Sequence, residues 1–237
     1  MCCFSAAVAS VGNTVMHCVA HADGRETVYY QMDFKAAASE KPVTMLLPFP
    51  GEIENVFAAE KDHFTKLIAA FTIPSRGRVH LAVVAVGEYM TTIVPSVDQL
   101  DDLDPTVFGF DPKFIEVFKK QYPTGFSFVA FCFAPSAEVI KPGHPLGITF
   151  RSRLPVGCIF FPMLHIHDGH HVPETADYDH DLFMEWDGPD GVFNLNQPGW
   201  QRTPNELDYT VFRVRRCRMF RKGMSLKNQD LVVQLKA

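Results

Sequence analysis

The sequence lacks the features that mark secreted, membrane-spanning and disulfide-rich proteins. Apart from the adjacent pair Cys2–Cys3, its six cysteines are widely dispersed, and no Cys-x-x-Cys motif occurs, which argues against a disulfide framework. No apolar run approaches the roughly 20 residues of a transmembrane helix. No lysine or arginine precedes Arg25, so the start lacks the positive region of a secretory signal. We therefore expect a cytoplasmic protein without a membrane partner.

Signatures of nucleotide and nucleic-acid binding are also missing. The chain has no glycine-rich phosphate loop, no dinucleotide fingerprint and no Gly-x-Ser-x-Gly motif. Its formal net charge is −5 over 237 residues, which gives no general attraction for a polyanion. We therefore predict that nucleic acid is not a partner.

The apolar pattern predicts two principal helices. Apolar residues recur every three or four positions over about 52–71, which is the spacing of a buried helix face. Asp111 followed by Pro112 is a typical helix start, because the aspartate caps the first turn and proline fits its first position. This start predicts the second helix, over about 112–122.

The remainder of the chain has the pattern of strands. Asp23 and Gly24 predict the tight turn of an early β-hairpin, and further short apolar runs follow along the chain. Strands and helices do not alternate regularly, which argues against a doubly wound parallel sheet. We predict a single globular α+β domain over residues 1–237 with mainly antiparallel sheet.

Histidines are concentrated in one short segment. Imidazole is the commonest protein ligand of transition metals, and it titrates near neutral pH. Five of the ten histidines fall within sixteen residues, with acids between them: His165, His167, His170, His171 and His180. This segment is therefore the strongest indication of function in the chain.

The spacing of these histidines predicts a metal site within residues 160–187. The Asp-Gly dipeptide after His167 would form a tight turn and fold the segment into a hairpin. Because alternate strand residues share a face, His165, His167 and His170 would point to one side, with His180 as a further ligand. Three imidazoles on one face of a rigid hairpin resemble a metal platform.

The predicted cofactor is one transition metal ion, namely zinc, copper or iron. A catalytic metal keeps an open position, so we predict a metal-binding protein and, by extension, a mononuclear metalloenzyme that hydrolyses or oxidises a small-molecule substrate. Asp168 or Asp179 would orient the imidazoles or act as general base on metal-bound water. Two alternatives stay open: a solvated histidine-rich tip, and histidines that are hydrogen-bonded to neighbouring aspartates.

The strand that contains His180 sets a geometric condition on this hypothesis. Asp179 and Asp181 share one strand face, and His180 lies on the other. If His180 binds a metal, both acids cannot lie beside its ring unless the strand contains a bulge. A bulge in this strand is therefore a feature to look for.

The chain starts Met-Cys-Cys-Phe-Ser, and this start resembles that of N-terminal-nucleophile amidohydrolases with cysteine at position 2. Removal of Met1 would leave Cys2 with a free α-amino group, which titrates near neutral pH and would serve as the base. The resemblance covers only a few residues and implies that Cys2 is a catalytic nucleophile. As alternatives, Cys2 and Cys3 are packed as small hydrophobic residues or are thiolate ligands near the histidines.

Several motifs together resemble an uncharacterised family of bacterial-type proteins. They are the opening Cys-Cys-Phe-Ser, the hairpin after it, Met45–Pro48 and Phe160–Gly169. The match spans much of the chain but is identical only in short motifs. It implies no activity, and it implies only that Cys2–Cys3 and His165–His171 belong to one fold.

The charge is distributed unevenly near the C-terminus. Residues 159–210 contain ten acids and one arginine, whereas residues 211–237 contain eight basic residues and one acid. Such blocks are typical of interaction surfaces, so a non-enzymatic binding or assembly subunit is a further alternative. The sequence does not determine the oligomeric state.

Overall fold

Strands dominate the structure, which is a computed structural model. It describes residues 2–36, 43–69, 90–133, 143–186, 192–193, 200–202 and 217–236. In chain order the strands are β1 Cys2–Cys3, β2 Val8–Ala20, β3 Arg25–Ala36, β4 Val43–Phe49, β5 Gly51–Ala58, β6 Met90–Val94, β7 Ser127–Phe133, β8 Leu146–Ser152, β9 Cys158–Phe161, β10 His165–Ile166, β11 Thr175–Trp186, β12 Val192–Phe193, β13 Trp200–Arg202, β14 Cys217–Lys227 and β15 Leu231–Lys236. The helices are α1 His63–Ala69, α2 Pro105–Phe108 and α3 Pro112–Gln121, and a 3-10 helix spans Val97–Asp102.

The largest sheet has seven strands in the order β13-β14-β11-β2-β3-β8-β5. Two three-stranded sheets, β12-β15-β9 and β4-β7-β6, and the two-stranded sheet β1-β10 contain the other described strands. Within the described ranges, only the pairs β1–β10 and β2–β11 run parallel. The prediction of an α+β fold with mainly antiparallel sheet is confirmed at this level.

The predicted hairpin around Asp23 and Gly24 is confirmed. Strands β2 and β3 pair antiparallel on either side of this turn, and Gly24 has a φ of +82°. Glycine adopts this left-handed conformation without steric cost. The hairpin supplies two adjacent strands at the centre of the seven-stranded sheet.

The predicted helix over 52–71 is wrong in its first half. Residues Gly51–Ala58 form strand β5, which pairs with β8, and only His63–Ala69 is helical; the predicted end at residues 70–71 lies outside the described residues. The register shifts between Ile53 and Asn55, so an extra residue separates apolar positions that face the same way. This β-bulge produces the three-residue spacing that otherwise indicates a helix.

The second predicted helix is confirmed as α3, which starts at Pro112. The Asp111 carboxylate accepts the Lys113 N–H over 2.8 Å and caps the first turn, as expected of an aspartate in that position. Phe114 and Phe118 are fully buried, and their ring centroids lie 4.8 Å apart. The helix thus contributes its aromatic stripe to the core.

Helix α1 packs against the seven-stranded sheet. Its buried Phe64 and Leu67 contact Phe183 of β11, so the first residue of the helix, His63, is brought over the central strands. Among the described helices, none has the length and apolar character needed to cross a membrane.

Candidate functional site

Strand β10 places His165 beside the first residues of the chain. Cys2 pairs with His165, and Cys3 pairs with Ile166, in the parallel β1–β10 sheet. The Phe4 N–H then donates to the Ile166 carbonyl over 2.9 Å. The two stretches that the sequence singles out are thus neighbours, and a nucleophilic role of Cys2 remains a prediction.

Asn228 fixes the backbone of His165. Its Oδ1 accepts the His165 N–H over 2.7 Å, and its amide donates to the carbonyls of His165 and Pro173 over 2.9 and 3.0 Å. Asn228 is itself buried, and a buried amide that satisfies three backbone groups holds both ends of the segment 165–173 in place. No sequence pattern pointed to Asn228, which lies 63 residues from His165 along the chain.

The rings of His165 and His180 meet in the protein interior. Their Nε2 atoms are 3.3 Å apart, and the two residues are 5% and 0% exposed. Tyr178 packs against both rings, with centroid distances of 4.6 and 5.3 Å. The structure thus brings together two of the four histidines that we predict as metal ligands.

A carboxylate lies beside the other nitrogen of His180. Asp179 Oδ1 is 3.3 Å from His180 Nδ1, and the register between β11 and β14 shifts between Tyr178 and Asp179. The extra residue at this shift lies on β14, between Lys222 and Met224, and β11 itself runs without one at this point. The bulge in the His180 strand that both acids would need in order to lie beside its ring is therefore not at this position. The second oxygen of Asp179 accepts the Asn13 N–H over 2.6 Å.

Asn13 reaches Asp179 because β2 is irregular at that point. The register between β2 and β3 shifts between Gly12 and Val15, and Asn13 has a φ of +51°. Asparagine tolerates this left-handed conformation better than most residues. The conformation turns its backbone N–H toward the carboxylate, and the sequence offered no sign of this role.

Burial and hydrogen bonding set the protonation states of the site. Burial lowers the pKa of His165 far below its ordinary value, so its imidazole is neutral at pH 7. Partial burial of the imidazole also lowers the pKa of His167. Partial burial acts to raise the pKa of Asp179, but its hydrogen bond to His180 and the Asn13 N–H lower it overall. A neutral imidazole and an ionised carboxylate therefore flank His180.

The predicted hairpin around Asp168 is wrong. Strand β10 ends at Ile166 and pairs with β1, and residues 167–174 form no strand. The prediction used the alternation of side chains along a hairpin strand to place His170 on the same face as the other ligands. Because the hairpin is absent, that argument does not apply. His170 is exposed, and its Nδ1 lies 2.9 Å from the Asp168 carbonyl, so the structure does not bring it to the His165–His180 pair.

Asp168 organises a turn of the backbone. Its Oδ1 accepts the N–H groups of His170 and His171 over 3.0 and 2.8 Å, a local arrangement typical of aspartate. Burial acts to raise the pKa of Asp168, but these two hydrogen bonds and the nearby histidines lower it overall. Gly169 has a φ of +82°, and a Cβ there would lie 2.6 Å from the Ser5 carbonyl oxygen. Glycine therefore permits this turn to approach the N-terminal segment.

A cavity of about 340 Å³ lies beside His165. Its lining consists of His165, His167, Asp168, His171, Pro173, Ala176 and Asp177. His167 is exposed, and its ring stacks on that of His165 with centroids 5.1 Å apart. The volume suits a small ligand. In the part of the chain that the structure describes, no three His, Cys, Asp or Glu side chains converge in a geometry ready to hold a metal ion.

A second histidine pair, which sequence reasoning missed, lies under α1. His17 Nδ1 is 3.1 Å from His63 Nε2, and His17 Nε2 is 3.3 Å from Glu185 Oε2. The Tyr29 ring stacks on His63 with centroids 4.1 Å apart. His17 and Glu185 are 1% and 6% exposed. The four residues come from four elements, so no spacing along the chain could have related them.

Comparisons with known proteins give a likeness of fold. No protein-family model matches the sequence, and no curated protein matches it. The crystal structure of baculovirus P35 is similar with a TM-score of 0.58 and 12% identity, over 96% of this chain and 97% of that chain. A mutated P35 after caspase cleavage has a TM-score of 0.52 and 12% identity, over 94% and 99% of the two chains.

The structure of the caspase-8/P35 complex is also similar. Its TM-score is 0.52 at 8% identity, over 94% of this chain and 96% of that chain. At such low identity these matches show a shared fold and do not by themselves transfer a function.

Proposed function

We propose that this chain is a protein ligand of a caspase-type cysteine protease. The observation that carries the proposal is the likeness of fold to baculovirus P35 along nearly the full length of both chains. P35 has been crystallised in complex with caspase-8 and, in mutated form, after caspase cleavage. A likeness over the whole chain supports a partner of the same kind.

Exposed aspartates after β6 are the features that such a protease would recognise, because caspases cleave after aspartate. Four exposed aspartates fall within seven residues: Asp98, Asp101, Asp102 and Asp104. Residues 63–97 contain no aspartate, so these four are the first aspartates after the start of α1 at His63.

Three of these aspartates lie on the short 3-10 helix Val97–Asp102. Val97 and Leu100 are buried and anchor the 3-10 helix, whereas Asp101 contributes only an exposed ion pair with Lys119. An exposed pair is worth less than about 1 kcal/mol, and a 3-10 helix of this length is weakly stabilised. The segment can therefore open into the extended conformation that a protease cleft binds.

The sequence favours two bonds within this segment. Asp104 is followed by Pro105, whose ring restricts the backbone of Asp104, so the peptide bond between these two residues is a poor site for cleavage. Asp101 and Asp102 have no such neighbour, and both side chains are exposed. We therefore expect cleavage after Asp101 or Asp102.

Incubation of the full chain with purified caspase-8 tests the proposal. We expect one main cleavage, with Asp102 or Leu103 as the new first residue by N-terminal sequencing. We also expect the cleaved protein and the protease to elute together in size-exclusion chromatography. The double variant D101N/D102N should be cleaved at least tenfold more slowly, because both aspartates are lost while the segment keeps its size.

The matched control is Asp23→Asn. Asp23 is an exposed aspartate in a tight hairpin turn, and Asn-Gly forms the same turn, so this variant should behave as the wild-type chain. The proposal fails if the wild-type chain is neither cut nor bound. It fails equally if D101N/D102N is cut at the wild-type rate.

A further inference from the structure

We propose that His165, His180 and His167 bind one divalent transition metal ion of the zinc class, with Asp179 as the carboxylate that orients His180. This site is independent of the proposed protease interaction. It rests on the geometry of a buried histidine pair, a carboxylate behind one of its rings and an adjoining cavity.

The distance between the paired nitrogens suits a shared metal ion. Two imidazole nitrogens at 2.0–2.1 Å from one tetrahedral ion lie about 3.3–3.4 Å apart. The Nε2 atoms of His165 and His180 are 3.3 Å apart. The same separation permits a hydrogen bond between the two rings, and a bound ion would replace that hydrogen bond.

The surroundings of His180 fit the same role. Histidines that bind a metal usually donate their other N–H to a carboxylate, which fixes the ring and increases its basicity. Asp179 Oδ1 is 3.3 Å from His180 Nδ1, and the Asn13 N–H holds the other oxygen over 2.6 Å. The bulge in β2 places Asn13 for this contact, and the register between β11 and β14 shifts at Asp179.

His167 is the side chain placed to supply the third nitrogen. It is exposed and stacks on His165, so its ring lies next to the pair, and the proposal requires its side chain to rotate toward the two Nε2 atoms. No three suitable side chains converge within the described residues before that rotation. His165 and His167 line the cavity of about 340 Å³, which has room for water or a small anion as the fourth ligand, as in catalytic zinc sites.

The ligand set selects the class of ion. Neutral imidazole binds zinc, copper, iron or nickel, whereas magnesium and calcium prefer oxygen ligands. Zinc binds such ligands in a tetrahedral arrangement, and cobalt(II) reports the same geometry through its visible absorption. The probe is therefore the metal ion alone, added to the untagged full chain after removal of metals with a chelator.

Calorimetric titration with zinc chloride and absorption titration with cobalt chloride test the proposal. We expect one ion per chain, and absorption bands of tetrahedral cobalt. His167→Ala should weaken binding at least tenfold, and Asp179→Asn should weaken it about 10- to 100-fold, as is typical when a supporting carboxylate is lost. Both residues are at least partly exposed, so these variants are expected to fold.

Two variants serve as controls. His170→Ala removes an exposed histidine of the same segment, and His63→Ala removes a member of the second histidine pair; neither should change the affinity. The proposal is overturned if zinc does not bind saturably. It is also overturned if His167→Ala binds zinc as tightly as the wild-type chain, or if either control loses the site.

Discussion

At the scale of single residues, Glu26 is the least expected feature of the fold. It lies on the central strand β3 and is only 1% exposed. Its Oε1 accepts the Phe160 N–H over 2.7 Å, whereas its Oε2 has no hydrogen-bond partner among the described residues. Burial raises the pKa of Glu26 well above the ordinary value of 4.5, although the bond from Phe160 acts to lower it.

This raised pKa predicts a stability that falls as the pH rises. Between pH 4.5 and the raised pKa, the folded chain keeps a proton that the unfolded chain releases, so the free energy of unfolding decreases with pH through that window. Glu26→Gln keeps the acceptor for Phe160 and cannot ionise. We expect this variant to match the wild-type chain within about 0.5 kcal/mol at pH 4 and to be the more stable protein at pH 8.

Urea unfolding of both proteins at several pH values checks this prediction. A parallel pH dependence in Glu26→Gln would show that Glu26 is not the titrating group. Glu52→Gln is a suitable control, because Glu52 is exposed on β5 and should leave the pH dependence unchanged.

At the scale of elements, bulges explain which parts of the structure the sequence could predict. The hairpin of β2 and β3 and the start of α3 depend on local signals, a turn dipeptide and a capping residue, and both predictions are confirmed. Strand β5 was predicted as a helix, because the bulge after Ile53 changes a two-residue spacing into three. A bulge depends on its partner strand, which the sequence does not identify.

The candidate site depends on the same kind of feature. Strand alternation indicated that Asp179 and Asp181 cannot both lie beside the His180 ring without a bulge in β11, whereas the extra residue at the register shift beside Asp179 lies on β14. The bulge at Asn13 and the hydrogen bonds of Asn228 to the backbone of His165 could not be predicted, because each contact joins residues far apart in the chain. The tight turn at Asp168 was recognised, but strand β10 takes β1 as its partner, so the expected hairpin does not form.

The pairing of β5 with β8 gives a prediction at this scale. Gly147 lies opposite Phe57, and a Cβ on Gly147 would lie 2.3 Å from the Phe57 ring. Gly147→Ala should therefore force the ring to move and reduce the free energy of unfolding by about 1–3 kcal/mol. In a Phe57→Leu background the smaller side chain leaves room, so the same substitution should cost clearly less. Equal costs in both backgrounds, measured by urea unfolding, would contradict the assigned pairing.

At the scale of the whole molecule, Asp230 connects parts of the chain that are distant in sequence and that meet beside the site. Asp230 lies just before β15, and its carboxylate accepts the N–H groups of Met163 and Leu164 over 2.7 and 3.0 Å. It also accepts a hydrogen bond from the hydroxyl of Tyr122, the residue that follows α3, over 2.7 Å. Asp230 thus holds the residues before β10 against the C-terminal part of the chain. Through Tyr122 it also connects them to the end of α3.

Substitutions of Asp230 test whether these bonds hold the molecule together. Asp230→Ala leaves two backbone N–H groups and one hydroxyl without their acceptor, and a buried donor without a partner costs about 1–3 kcal/mol, so we expect a loss of about 3 kcal/mol or more in urea unfolding. Asp230→Asn keeps an oxygen for both N–H groups, so its loss should be less than half as large. Asp177→Ala changes an exposed aspartate and should stay within about 0.5 kcal/mol of the wild-type chain. If the asparagine and alanine variants lose the same stability, the hydrogen bonds to Met163 and Leu164 are not what Asp230 contributes, and the position of His165 must be fixed by Asn228 and β1 instead.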